Sequence, residues 1–153
     1  MRRVWDIVMW LARLAMAGIF LLAAKEKIAD PGAFALAVYR YRILPSWGVN
    51  VFALVLPWVE VFAAVALLAP RRAGLWRAAG AGLVAGMLAL FTVAYGIALM
   101  RGISISCGCF NLSPDAVAGG WRSLAQNAAL FAGGAVIFAD AFFRAIPDEP
   151  EES

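Results

Sequence analysis

Histidine is absent from this 153-residue chain, and cysteine occurs only twice. Haem ligation by histidine, serine–histidine–aspartate catalysis and histidine-containing zinc sites are therefore excluded. Charged residues are also scarce, at 15% of the chain, with a net charge of +3. Because the basic residues are scattered among the ends of apolar runs rather than clustered, we interpret them as topology signals and expect no nucleic acid partner.

Apolar residues make up 64% of the chain, whereas about half is typical of soluble proteins. Four apolar runs, 5–24, 48–69, 76–100 and 121–143, each reach the roughly 20 residues that cross a lipid bilayer. The sequence therefore predicts one all-α domain over residues 1–146, a polytopic membrane four-helix bundle with no room for a soluble catalytic domain. Residues 147–153 are acidic and are predicted to form a disordered tail.

Local signals mark the limits and contacts of these spans. Near the start of each run stands a tryptophan, which prefers the headgroup level of a bilayer: Trp5, Trp47, Trp76 and Trp121. Residues 30–32 predict a turn, and residues 33–44 predict a short amphipathic interfacial helix that Pro45 ends. Gly82 with Gly86, and Ala129 with Gly133, have the small-x-x-x-small spacing of closely packed spans.

The orientation in the membrane depends on the lysines and arginines of the short loops. Six lie on one side of the bundle and six on the other, so the count alone does not decide. Two basic residues before the first span and the compact arginine loop at 71–77 favour cytoplasmic termini. We therefore expect a bacterial inner-membrane protein whose segment between the third and fourth spans faces the oxidising periplasm.

Cys107 and Cys109 flank Gly108 in a polar stretch after the third span. Disulfide geometry prefers Cα atoms about 5.5 Å apart, so two cysteines separated by one residue would form a strained bond. Strain and exposure raise the reduction potential, which favours passing oxidising equivalents to another dithiol over serving as a permanent staple. Gly108 supplies the backbone freedom that such a ring needs. The pair is the predicted catalytic site of a thiol-disulfide oxidoreductase.

Three other interpretations of the cysteine pair stay open. The two residues can be small buried apolar side chains, a static disulfide, or ligands of a soft metal such as copper(I) or zinc. A metal would need methionine or a partner's ligands as well, so no metal site is assigned. The corresponding alternatives for function are a non-catalytic assembly factor and a soft-metal carrier.

Glu60 lies inside the second span, where a carboxylate costs about 2 to 3 kcal/mol or more and so requires a partner or a wet cavity. Arg13 lies about 12 Å from the start of the first span and Glu60 about 13 Å from the same side, at 1.5 Å per residue. An Arg13–Glu60 pair is therefore predicted, as a structural ion pair or as part of a proton relay.

Other polar residues have supporting roles in this interpretation. A cation such as Lys25 or Arg122 near the cysteine segment would lower a thiol pKa, although snorkelling explains these side chains as well. Asn127, inside the fourth span, needs an interhelical hydrogen bond. Asp6 and Asp140 lie near the cytoplasmic interface and are predicted to be solvated.

Five motifs along the chain form a familiar pattern: residues 21–25 (LLAAK), Asp30-Pro31 with Phe34, Leu56-Pro57 with Glu60, Cys107-Gly108-Cys109-Phe110, and Trp121-Arg122 with Asn127. This pattern resembles the MauE branch of the DoxX-like four-helix membrane proteins, over nearly the whole chain. The Cys-Gly-Cys-Phe turn is its most specific element. Asn111 follows that turn where the branch often has glycine, a departure that leaves the cysteines untouched.

The resemblance implies a role in maturation of periplasmic proteins, by forming or isomerising disulfides together with a thioredoxin-like partner. In the MauE branch the implied client is methylamine dehydrogenase. The wider DoxX-like group is linked to quinone chemistry, so the resemblance also makes a quinone a candidate cofactor.

Overall fold

The computed structural model describes residues 2–70, 73–102 and 120–145. These residues form five helices and no strand: α1 (Arg2–Ala29), α2 (Pro31–Arg40), α3 (Ser46–Leu67), α4 (Gly74–Met100) and α5 (Gly120–Ala145). The predicted all-α class is therefore confirmed. The cysteine pair and the predicted acidic tail lie outside the described residues.

Four of the helices, α1, α3, α4 and α5, are long and apolar enough to cross a membrane. Their outward faces carry large apolar side chains, as on α3, where Leu54, Trp58 and Phe62 are each more than half exposed. Contiguous apolar surface of this kind is unfavourable in water but is covered by acyl chains in a bilayer. The chain is thus a multi-pass membrane protein.

The short helix α2 differs from its predicted limits. Asp30 caps its N-terminus, because its Oδ1 accepts a hydrogen bond of 2.8 Å from the backbone N–H of Ala33. Pro31 occupies the first helical position, where its fixed φ is favourable and its missing N–H is not needed. The helix therefore begins two residues before the predicted Ala33. It ends at Arg40, ahead of the predicted Leu44.

The first helix also extends further than its apolar run. It continues past the predicted limit at Ala24 to Ala29, so the charged residues 25–27 form its last turns rather than a loop. A helix that carries these residues presents them in different directions, at about 100° per residue. Lys27 consequently falls on the buried side of α1, whereas Lys25 is exposed.

The four long helices alternate in direction, so the start of α1 and the end of α5 lie at the same end of the bundle. Arg144 Nη1 near the end of α5 lies 2.7 Å from Asp6 Oδ1 near the start of α1. We call this end of the bundle, with the end of α3 and the start of α4, the terminal end. The opposite end, the α2 end, holds α2, the end of α4 and the start of α5. That the terminal end is cytoplasmic remains a prediction.

Close contact between α3 and α4 depends on one glycine. A Cβ atom added to Gly80 would lie 2.5 Å from the backbone N of Leu67, so the start of α4 rests directly on the backbone of α3. The predicted pair Gly82 and Gly86 contributes less. A Cβ at Gly82 would approach Phe138, but one at Gly86 would meet nothing within 4 Å. The small-x-x-x-small prediction is therefore wrong for Gly86, because that residue faces outward.

Candidate functional site

The predicted catalytic residues Cys107 and Cys109, with Gly108 and Phe110, lie outside the described residues. The described residues end at Gly102, two residues after the end of α4, and resume at Gly120, the first residue of α5. Both points belong to the α2 end of the bundle. The described residues at this end therefore surround the two points at which the segment with the cysteines joins the bundle.

Lys27 and Glu60 form an ion pair at the α2 end, with Nζ and Oε1 2.5 Å apart. Their side chains are only 3% and 1% exposed. Side chains on a helix lean toward its N-terminus, and α1 and α3 are antiparallel. Lys27 therefore leans into the bundle and Glu60 leans toward the α2 end, so the two charges converge.

Two aromatic rings complete the surroundings of the Lys27 ammonium. Nζ lies 5.2 Å from the ring centroid of Phe34 in α2 and 5.6 Å from that of Phe91 in α4. Rings within about 6 Å attract a cation through their quadrupole. Lys27 thus connects α1 to α2, α3 and α4. The second carboxylate oxygen of Glu60, Oε2, is buried without a hydrogen bond to any described residue.

A cavity of about 160 Å³ opens beside Lys27, between α2, α3 and α4. Apolar and aromatic side chains line it almost completely, among them Phe34, Val38, Phe52 and Phe91. Lys27 is the one charged residue among the described residues of the lining. An ammonium has three N–H donors, so it can bind Glu60 and still donate to an acceptor on an apolar ligand.

Arg13 does not pair with Glu60, and that prediction was wrong. Its Nη2 lies 2.6 Å from Asp140 Oδ2 in α5. Counting residues along a helix gives the depth of a residue but not the direction of its side chain. Arg13 leans toward the terminal end and Glu60 leans toward the α2 end, so the two diverge although their helices are neighbours.

Asp140 is the centre of a polar cluster at the terminal end, although the sequence analysis predicted that it would be solvated. Its side chain is only 9% exposed. It accepts hydrogen bonds from Arg13 at 2.6 Å, from Arg144 Nε at 2.9 Å and from Trp5 Nε1 at 3.1 Å. Burial of a carboxylate inside a bundle requires such partners. Asp6, by contrast, is partly exposed, as expected for a residue at an interface.

The remaining predicted residues do not meet at one place among the described side chains. Lys25 and Arg122 are exposed near the α2 end, which suits either a cation beside the cysteines or snorkelling. Asn127 is buried in α5. The described residues contain no group of three or more acidic, cysteine or histidine residues that would hold a metal ion.

The sequence contains a signal for the burial of Lys27, in the spacing of the buried residues that precede it on α1. Ala17, Phe20 and Ala24 are buried on α1, at spacings of three and four residues, and Lys27 continues the same series. Residues at these spacings share one face of a helix. The apolar run itself ends at Ala24, so composition alone places Lys27 with the flanking charges and not on the buried face of α1.

Comparison with known proteins identifies relatives over most of the chain. The family model described as methylamine utilisation protein MauE matches residues 5–140. The MauE protein of Paracoccus denitrificans is 36% identical over 105 residues, which cover 68% of this chain and 54% of that relative. The MauE protein of Paracoccus versutus is 32% identical over 128 residues, which cover 82% and 66%.

The relative from Methylophilus methylotrophus is 35% identical over 99 residues, which cover 64% of this chain and 50% of that protein. The chain therefore spans between half and two thirds of the length of these relatives. No solved structure matches it significantly.

Proposed function

Because this chain belongs to the family of methylamine utilisation protein MauE, we propose that it is a membrane thiol-disulfide redox protein. Its Cys107–Cys109 pair would support maturation of periplasmic proteins that serve methylamine utilisation. The partner is a thioredoxin-like protein or the client itself. The relatives carry methylamine utilisation in their names, and the Cys-Gly-Cys spacing supplies the chemistry.

The proposed step is thiol-disulfide exchange. A thiolate of the partner attacks one sulfur of the Cys107–Cys109 bond, which breaks it, forms a mixed disulfide and leaves the other cysteine as a thiolate. A second partner thiolate then attacks the mixed disulfide. The partner leaves oxidised, and the Cys107–Cys109 pair has gained two electrons and two protons.

The position of the Lys27 cavity is the observation that carries the electron-transfer side of the proposal. The cysteine segment is attached at Gly102 and Gly120, both at the α2 end, and the apolar cavity opens at the same end. A membrane bundle that oxidises dithiols must pass the electrons that it gains on to an acceptor. An acceptor that dissolves in lipid needs an apolar cavity of this kind.

The residues around the cavity fit a quinone. Phe34 and Phe91 offer apolar surface to a flat ring, and the Lys27 ammonium offers a donor to a carbonyl oxygen. Glu60 holds that ammonium in place through the ion pair. A bound quinone would supply the two-electron, two-proton acceptor that reoxidation of the dithiol requires.

Replacement of both cysteines by serine is expected to abolish the function, because no exchangeable bond remains. The test is growth on methylamine of a host that lacks its own MauE protein and carries this chain. One of the two single variants, Cys107→Ser or Cys109→Ser, should accumulate a mixed disulfide with the partner, visible on a non-reducing gel. In that variant the remaining thiolate can still attack the disulfide of an oxidised partner, but the second cysteine, which would break the mixed disulfide by closing the Cys107–Cys109 bond, is missing.

Ser106→Ala is the matched control, since it changes a neighbouring side chain of similar size and removes no sulfur. It should support growth like the unaltered chain. Full growth with the double serine variant would refute the redox role and favour an assembly factor that only docks its partner. Cysteine-dependent copper or zinc in the purified protein would favour the soft-metal carrier.

Ala37→Phe is expected to slow reoxidation of the reduced pair by a short-chain quinone about tenfold or more, because the new ring fills a cavity of about 160 Å³. The measurement follows thiol loss and quinol formation in lipid nanodiscs. Leu36→Phe is the control, since Leu36 is exposed one residue earlier on α2. Equal rates for the two variants would mean that the cavity does not serve electron transfer.

A further inference from the structure

The Lys27 cavity lies in a gap between two helices. Among the described helices, α2 packs against α3 and α1, but its backbone does not approach that of α4. Side chains of both α2 and α4 nevertheless line the cavity, Ala37 and Val38 from α2 and Leu90 and Ala94 from α4. The cavity therefore occupies the space that separates α2 from α4.

This space reaches the outer surface of the bundle. Leu90 lines the cavity and is 53% exposed, and Ile43 and Leu44, which follow α2, line it and are 47% and 37% exposed. The rim of the opening is thus apolar. Exposed apolar surface is unfavourable in water, whereas acyl chains cover it in a bilayer.

The depth of Leu90 in the membrane supports an opening toward lipid. The 27 residues of α4 extend over about 40 Å, which exceeds a hydrocarbon core of about 30 Å by about 10 Å. Leu90 lies roughly 15 Å before the end of α4 at Met100. If the excess length is shared equally between the two ends, Leu90 lies about 10 Å inside the hydrocarbon core. The rim at Leu90 therefore faces acyl chains.

The inner side of the cavity has the opposite character. The Lys27 ammonium lies there against the rings of Phe34 and Phe91 and offers N–H donors. A ligand that matches both sides has a hydrogen-bond acceptor at one end and a long apolar chain at the other. A quinone with an isoprenoid tail has this construction.

We propose that such a quinone enters sideways from the bilayer, through the gap between α2 and α4. Its head lies at Lys27, and its tail leaves past Leu90 and Ala94 and stays among the acyl chains. The tail is then never transferred to water, which would be unfavourable. This inference rests on the proposed function, because it takes the electron acceptor to be a quinone, and it adds the tail and its route.

Photo-crosslinking tests the route on the full-length protein in lipid nanodiscs. The probe is a quinone with a diazirine on the first isoprene unit of its tail, and mass spectrometry locates the labelled residues. Excess unlabelled long-tailed quinone should remove the label from Leu90 and Ala94. Label on Leu54, which is exposed on the outer face of α3, should persist. Competed label that is absent from both sides of the α2–α4 gap would overturn the proposal.

Leu90→Trp is expected to weaken the affinity for the long-tailed quinone about tenfold or more, because the indole fills the path of the tail. The affinity for the parent quinone without a tail should change less than about twofold, since the space at Lys27 is untouched. Leu83→Trp is the matched control. Leu83 lies seven residues earlier on the same face of α4, is partly exposed and does not line the cavity. The shift of the thermal unfolding midpoint with quinone concentration, in detergent, measures each affinity.

The outcomes separate this inference from the proposed function. If neither quinone raises the unfolding midpoint of the unaltered protein, the quinone part of the proposed function fails and the route fails with it. If Leu90→Trp weakens both quinones equally, or Leu83→Trp has the same effect as Leu90→Trp, only the route is overturned. If Leu90→Trp does not fold, crosslinking to the unaltered protein still decides.

Discussion

Lys27→Met is expected to lower the free energy of unfolding by about 3–5 kcal/mol, because it leaves the Glu60 carboxylate buried without its cation. The substitution keeps the length and the apolar stem of the side chain. It removes the 2.5 Å contact with Glu60 and the attraction to the rings of Phe34 and Phe91. The loss acts on four helices together, since Lys27 contacts α2, α3 and α4 from α1. The measurement is denaturant unfolding in detergent micelles.

Lys25→Met is the control for this prediction. It removes the same charge two residues earlier on the same helix, but from an exposed position, where changes are usually within about 0.5 kcal/mol. Equal destabilisation by the two variants would contradict the structural role assigned to the Lys27–Glu60 pair.

A double variant distinguishes the loss of the whole ion pair from the loss of one of its two charges. Lys27→Met with Glu60→Leu leaves no buried charge behind, and replacement of a whole buried ion pair by apolar residues is often neutral or stabilising. We therefore expect it to recover most of the stability lost by Lys27→Met alone. If the double variant is stable but lacks the proposed quinone reduction, the pair serves that proposed reaction rather than folding.

Gly80→Ala is expected to destabilise the bundle by about 1–3 kcal/mol or more, the usual range for overpacking. The added Cβ would lie 2.5 Å from the backbone N of Leu67 and 2.7 Å from the backbone carbonyl carbon of Ala66. Backbone atoms inside a helix cannot rotate away as a side chain can. The start of α4 would have to move off the end of α3, and unfolding by heat or denaturant measures the cost.

Gly86→Ala provides the matched control, with the same chemical change six residues later on the same helix. A Cβ there would meet nothing within 4 Å, and alanine is favoured over glycine in a helix by roughly 0.5–1 kcal/mol. This variant should therefore be neutral or slightly more stable. A loss of stability similar to that of Gly80→Ala would disprove the assigned contact between α4 and α3.

The fold was largely predictable because its main signals are local in sequence. Runs of apolar residues long enough for a bilayer, with Trp5, Trp47, Trp76 and Trp121 near their starts, locate four spans without knowledge of any contact. The predicted limits of the helices are less accurate than their number. Residues 25–27 look like a polar flank by composition, but helical hydrogen bonding continues through them to Ala29.

The predicted pairing of charged residues, by contrast, was wrong. Counting residues gives the depth of Arg13 and Glu60 but neither the direction in which each side chain leans nor which helices are neighbours. Asp140 is the partner of Arg13 although they lie 127 positions apart in the sequence, and no motif near either residue indicates the contact.

The composition, the apolar runs and the Cys-Gly-Cys-Phe motif were sufficient for a membrane bundle of the MauE family, because each can be recognised in the sequence without knowledge of any contact. The Lys27–Glu60 pair, the apolar cavity beside it and the polar cluster around Asp140 at the terminal end required the three-dimensional arrangement. Each of these is built from several helices, and the rotation of a helix about its axis relative to its neighbours follows from the packing of the whole bundle.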